Sequence, residues 1–158
     1  MSGLRPDYEP LLAQRRIASL GTLNEDGTLH LTAVWYLWED GVFFVPTFAT
    51  SRKARNVAAR PHAALMVDAR ANGSALSGIA ASGPAEVLRG AASRAVNERI
   101  WARYLTEQGL ADGRVGGAIA TSDDVTIRLE PARIHSWSTA QDFDGAFERP
   151  GTTLPLEA

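Results

Sequence analysis

The chain has no cysteine, two methionines and three histidines in 158 residues. Its basic charge is almost all arginine, and Lys53 is the only lysine. The absence of cysteine excludes disulfides, thiol catalysis and thiolate metal sites. No apolar run approaches the roughly 20 residues that a membrane-spanning helix needs. The first ten residues, MSGLRPDYEP, lack the apolar stretch of a secretory signal. Charge of one sign is not in excess either. A net charge of -2 provides no bulk attraction to nucleic acid or to an anionic membrane. A soluble cytoplasmic protein, without nucleic-acid partners or a membrane span, is the expectation.

Several catalytic signatures are also missing. His30, His62 and His135 are far apart in sequence and form no H-x-x-x-H pair, so no metal site is expected. There is no G-x-S-x-G elbow and no S-x-x-K pair, which removes the common hydrolase motifs. The glycines of residues 113–118 lack dinucleotide spacing and follow a helix instead of a strand. DFDG at 142–145 lacks the remaining oxygen ligands of a calcium loop.

What is present suits one globular domain with a real core: 45% hydrophobic and 22% charged residues. Residues 7–15 read as a short helix with Asp7 as its cap. Residues 16–23, 28–39 and 42–48 read as a three-strand antiparallel meander. Its turns carry the Asn, Asp and Gly residues that tolerate positive φ. In the second strand Leu29, Leu31, Ala33, Trp35 and Leu37 share one apolar face. Residues 51–60 read as a helix stopped by Pro61. A buried strand follows at 62–68, then a loop at 69–74. A long strand spans 75–88, where Gly78 and Gly83 permit a close backbone approach or a bulge. The longest helix covers 91–108, with Val96, Ile100 and Tyr104 at four-residue spacing and Gly109 as its stop. Residues 111–124 read as a loop and 125–137 as the closing strand. The rest, 138–158, reads as a loosely ordered tail. The sum is a single mainly β domain of about six strands, for which a barrel removes exposed sheet edges.

The stretch around the lone lysine carries the most chemistry. Thr50 and Ser51 stand where a helix N-cap belongs, so Arg52 and Lys53 fall in the first turn. Cations there oppose the helix dipole. A bound anion resolves the conflict, because free N–H groups, hydroxyls and the two cations together make a phosphate site. A solvated basic helix face is the competing reading.

The hairpin meander, the strand ending in a Thr-rich loop, SRKARN, the following Pro61 and the AAL strand resemble the pyridoxamine 5′-phosphate oxidase-like split barrels that bind FMN. The match spans about residues 10 to 137. Lys53-Ala54-Arg55-Asn56 and the AALMVDAR strand are most similar to the branch that uses the deazaflavin coenzyme F420. The resemblance implies a six-stranded antiparallel split barrel, homodimeric, with cofactor sites at the dimer interface. It implies that the ring lies along Thr32, Ala33, Val34 and Trp35 and along Pro46, Thr47, Phe48 and Ala49. It places the phosphate at Thr50, Ser51, Arg52 and Lys53, and the tail charges at Arg55 and Asn56. The loop of Gly73, Ser74, Ala75 and Leu76 approaches the cofactor as well.

The second strand lacks the Arg and Lys that serve FMN and substrate phosphate in true pyridoxamine-phosphate oxidases. Its bulky apolar residues suit an uncharged, hydrophobic substrate. The activity implied is therefore F420-dependent hydride transfer to a small hydrophobic acceptor, such as an enone or quinone. Tyr36, His30 and Tyr104 are the candidates for the proton donor, with solvent as the alternative, although barrel packing is the commoner role of an aromatic at Tyr36. Two alternatives stay open: an FMN-binding flavin reductase or oxidase, and a non-catalytic protein that carries flavin, deazaflavin or haem.

Overall fold

The computed structural model describes residues 9–68, 77–138, 146, 149 and 151–152. A single turn of helix, α1 (Glu9–Leu12), leads into β1 (Ala18–Leu23) and β2 (Leu29–Val34). After two residues the chain resumes as β3 (Leu37–Glu39) and turns into β4 (Val42–Phe48). Asp40 and Gly41 both have positive φ, 51° and 78°, as a tight hairpin of the right twist requires. Helix α2 (Arg52–Ala59) then precedes β5 (His62–Asp68) and the long β6 (Ser77–Leu88). Helix α3 (Gly90–Tyr104) and two short helices, α4 (Glu107–Ala111) and α5 (Gly116–Thr121), precede β7 (Asp124–Leu129) and β8 (Arg133–Ser138).

The strands run in the order β2-β1-β5-β6-β7-β4-β3, with β8 also paired to β6, and every pairing is antiparallel. Consecutive strands β2 and β3 thus stand at opposite ends of the order. The seam of the split barrel runs through Trp35 and Tyr36, which join them. Core side chains come from the inward faces of these strands: Leu20, Tyr36, Phe43, Val45, Leu65, Ile79, Ile127 and Leu129, with Leu12 and Val57 closing it. No helix among the described residues is long and apolar enough to cross a membrane.

There are eight strands where the sequence suggests about six, because two long candidates are each broken once. The first break is the seam, where Tyr36 leaves the sheet and enters the core. The second is at Pro131, which has no N–H to give the ladder. The N–H groups of Glu130 and Ala132 bond to Pro84 O and Ser82 O, both at 3.0 Å, and straddle Gly83. A Cβ on Gly83 would overlap the Glu130 carbonyl oxygen. Gly78 likewise leaves room for the indole of Trp137. Both glycines therefore serve the close approaches expected of them.

The apolar face of β2 points the unexpected way. Leu29 and Leu31 are 78% and 71% exposed. Cross-strand register puts Leu23 and Met66 on the same outer face. The inner positions near this end are polar: Thr22 and Asn56 are buried there.

Candidate functional site

A cavity of about 610 Å³ opens between the seam, β4, the start of α2, the C-terminal half of α3 and the α4–α5 segment. Ala33, Val34 and Trp35 line it from the seam, and Pro46, Thr47 and Phe48 from β4. Ser51 and Lys53 close one end. Trp35 is held by a parallel stack on Tyr104, with centroids 5.0 Å apart and planes 5° apart. The Tyr104 hydroxyl is fixed in turn by donating to Arg16 O at 2.6 Å.

Ser51 caps α2 as the sequence predicts. Its Oγ accepts from the Ala54 N–H at 3.2 Å and from the Thr47 hydroxyl at 3.0 Å. No acidic residue stands in the first turn of α2. Lys53 is half-buried, and burial pushes its ammonium below the ordinary lysine pKa. Among the described residues it makes no hydrogen bond or ion pair. Among the described residues Asp124 is the cavity's other charged residue, and it is already compensated. Arg94 bonds its Oδ1 at 2.9 Å and the buried Asn97 amide bonds its Oδ2 at 2.9 Å. The cavity is therefore apolar, with one uncompensated positive charge at one end.

Helix α2 divides the rest of the motif. Arg52, Arg55 and Asn56 line a second, polar cleft with Asn24, Asp26, Thr28 and Arg60. The Asn56 amide is already in use there, donating to Thr22 Oγ1 at 3.1 Å and Asn24 Oδ1 at 2.9 Å. It ties α2 to the β1–β2 hairpin. Thr32 and Thr50 do not line the first cavity, and Ala49 contributes its N–H to Asp123 O instead. Tyr36 lies in the core, its hydroxyl donating to Leu12 O and Gln14 O at 3.2 and 3.3 Å. Burial pushes its pKa up to about 12, so it is held neutral and turned away from the cavity. Gly73, Ser74, Ala75 and Leu76 lie outside the described residues.

One wall of the cavity escapes the sequence reading. Trp101, Leu105, Val115, Ala118, Ile119 and Ser122 line it, and most of them fall in a stretch that reads as a loop. The i, i+3, i+4 spacing of Val115, Ala118 and Ile119 is a helical signal, but Gly113, Gly116 and Gly117 obscure it. Trp101 reads as packing and turns out to face the cavity as well.

The fold is a split barrel, and its cavity is apolar with a cation at one end. The model of the pyridoxamine 5′-phosphate oxidase family matches residues 4–138, and the chain belongs to that family. No curated protein matches the sequence. Among solved structures, a conserved hypothetical protein of Mycobacterium tuberculosis is similar, with a TM-score of 0.72 and 23% identity over 98% of this chain and 94% of that one. An F420 reductase is similar at a TM-score of 0.65 and 26% identity over 84% of this chain and 98% of its own. HutZ, the haem storage protein of Vibrio cholerae, shares the fold, with a TM-score of 0.66 and 16% identity over 84% and 93% of the two chains.

Proposed function

We propose that the protein is an F420-dependent oxidoreductase that moves a hydride between the deazaflavin and a small hydrophobic acceptor, such as an enone or quinone. The observation that carries this reading is Lys53: a half-buried, unpartnered ammonium at one end of an apolar cavity. Such a charge is costly unless a ligand anion meets it. The likeness to an F420 reductase at 26% identity supports deazaflavin over other anionic cofactors.

When bound, the reduced deazaflavin supplies the two electrons and one hydrogen nucleus of the hydride. The protein's residues bind, orient and exclude water. Lys53, Ser51 and Thr47 hold the phosphate end. Ala33, Val34, Pro46 and Phe48 pack the ring, with Trp35 braced by Tyr104 beside it. Arg52 and Arg55, across α2, are the cations available to the tail's negative charges. Solvent supplies the proton that completes reduction of the acceptor, since Tyr36 is locked in the core, the Tyr104 hydroxyl is committed to Arg16 O, His30 does not line the cavity and Asp124 is paired.

The outer sheet face supports a homodimer. Leu29 and Leu31, with Leu23 and Met66, form an exposed apolar surface of the kind that a second copy covers. A haem role finds no support in the cavity, because no histidine lines it. The test is a fluorescence titration of apoprotein with F420 and, separately, with FMN. Tight F420 binding with weak FMN binding is expected. The reverse preference would move the protein to the FMN branch, and binding of neither would overturn the reading.

A further inference from the structure

The segment 106–122 stands apart in how it is held. Its hydrogen bonds are all internal. Thr106 caps α4 by accepting from the Gly109 N–H at 3.0 Å, and the N–H groups of Val115 and Gly116 return to Asp112 O at 3.0 and 2.8 Å. Its ion pair, Arg114 with Asp112, is internal too. Among the described residues, no hydrogen bond or ion pair links 106–122 to the barrel or to α3. Neither α4 nor α5 has a buried residue, and each touches the other more than it touches any other single element.

The chain on either side is anchored firmly. At the end of α3, Arg103 donates to Ala13 O and Gln14 O at 2.7 and 2.6 Å. Beyond the segment, Asp123 O accepts from the Ala49 N–H at 3.0 Å, where β7 joins β4. Between these anchors the segment touches the cavity through Val115, Ala118 and Ile119. Apolar contact is what holds it over the cavity, and such contact is non-directional and weak at partial burial.

We infer that residues 106–122 form a hinged apolar lid, and that Val115, Ala118 and Ile119 on it make the acceptor-binding wall and select uncharged, apolar acceptors. This rests on the reading of the cavity as a cofactor site with Lys53 at the phosphate end. Val115, Ala118 and Ile119 offer no side-chain donor or cation to an acidic acceptor, and the Ser122 hydroxyl beside them already donates to Ile119 O at 2.9 Å. Asp124, at the lid's own end of the cavity, has its carboxylate oxygens taken by Arg94 and Asn97 and offers an anion nothing to bind. An apolar acceptor replaces the solvent that the exposed Val115 and Ala118 and the half-buried Ile119 now meet, so its binding also closes the lid.

The test uses the full chain and menadione, an uncharged quinone. Hydrogen exchange followed by mass spectrometry reads the lid directly, without any turnover. Amides of 107–121 are expected to exchange faster than those of β4, and menadione is expected to slow them. Ile119→Asp places a carboxylate on the wall and should weaken menadione binding about tenfold or more. Gly116→Ala tests the lid while keeping the wall's own side chains, because its Cβ would overlap the Leu110 carbonyl oxygen and push α4 from α5. It should raise exchange in 107–121 and weaken menadione in the same direction. In both variants menadione binding should fall by a larger factor than F420 affinity. Menadione that leaves lid exchange unchanged, or that binds Ile119→Asp as well as the parent, would overturn the inference. Failure of the parent to bind F420 would instead overturn the cofactor reading, and the menadione exchange result would still decide the lid.

Discussion

Replacing Lys53 with alanine removes the one uncompensated charge that the described residues bring to the cavity. In the free protein the ammonium is half out of water and has no partner, so its loss should leave the melting temperature unchanged or slightly higher. In the complex the substitution removes a charge-assisted contact to an anion. Such contacts contribute about 1.5–3 kcal/mol, which is about tenfold to a hundredfold in Kd. The assay is fluorescence titration of parent and variant with F420 and with FMN, at low and high salt. Salt should weaken the parent more than the variant, because the variant has lost the exposed part of the electrostatic term. Lys53→Arg should recover only part of the affinity, since a planar fork does not replace a compact ammonium. A Kd for both cofactors within about twofold of the parent would refute the reasoning. Lys53 would then be a solvated side chain that happens to border an apolar cavity.

Three further outcomes are expected. The double variant Arg52→Ala with Arg55→Ala should weaken F420 about tenfold and leave FMN nearly unchanged, because the two guanidinium groups face the polar cleft and not the apolar cavity; equal losses for both cofactors would contradict a tail-binding role. Leu31→Glu should turn a dimer into a monomer by light scattering with little change in melting temperature, since Leu31 is 71% exposed in the single chain; a persistent dimer would place the interface elsewhere. Tyr36→Phe should cost about 1 kcal/mol at neutral pH. The Tyr36 pKa is raised from 10.0 to about 12, chiefly by burial. Its folded-state pKa exceeds the unfolded one, so its contribution is complete below pH 10.0 and is lost as pH rises toward about 12. Denaturation curves across that window should show a shallower alkaline loss for the variant, and parallel curves would show that the hydroxyl is not held neutral by the fold.

Local chemistry was legible from the residues alone wherever short-range rules decide the outcome. The turns at 24–27 and 39–41 carry their own positive-φ residues. Ser51 starts α2 because its hydroxyl accepts from the Ala54 N–H, and Pro61 stops it. Gly78 and Gly83 marked close approaches before any partner was known. Lys53 was visible as a cation at the wrong end of a helix dipole.

Tertiary structure decided the rest, because it depends on which faces meet. Alternation showed that Leu29, Leu31 and Ala33 share a face, but a period of two cannot say whether that face is inward or outward. The barrel's closure turned it out. The run Ser51 to Asn56 looked like one site, yet one helical turn separates its residues by angle, so Ser51 and Lys53 reach the apolar cavity while Arg52, Arg55 and Asn56 reach the polar cleft. Tyr36 followed Trp35 by one residue, and the seam sent one to the core and the other to the cavity. The helical lid at 106–122 stayed hidden because its glycines weaken the local signal, and what gives it a place is the apolar cavity beneath it, formed by strands far away in sequence.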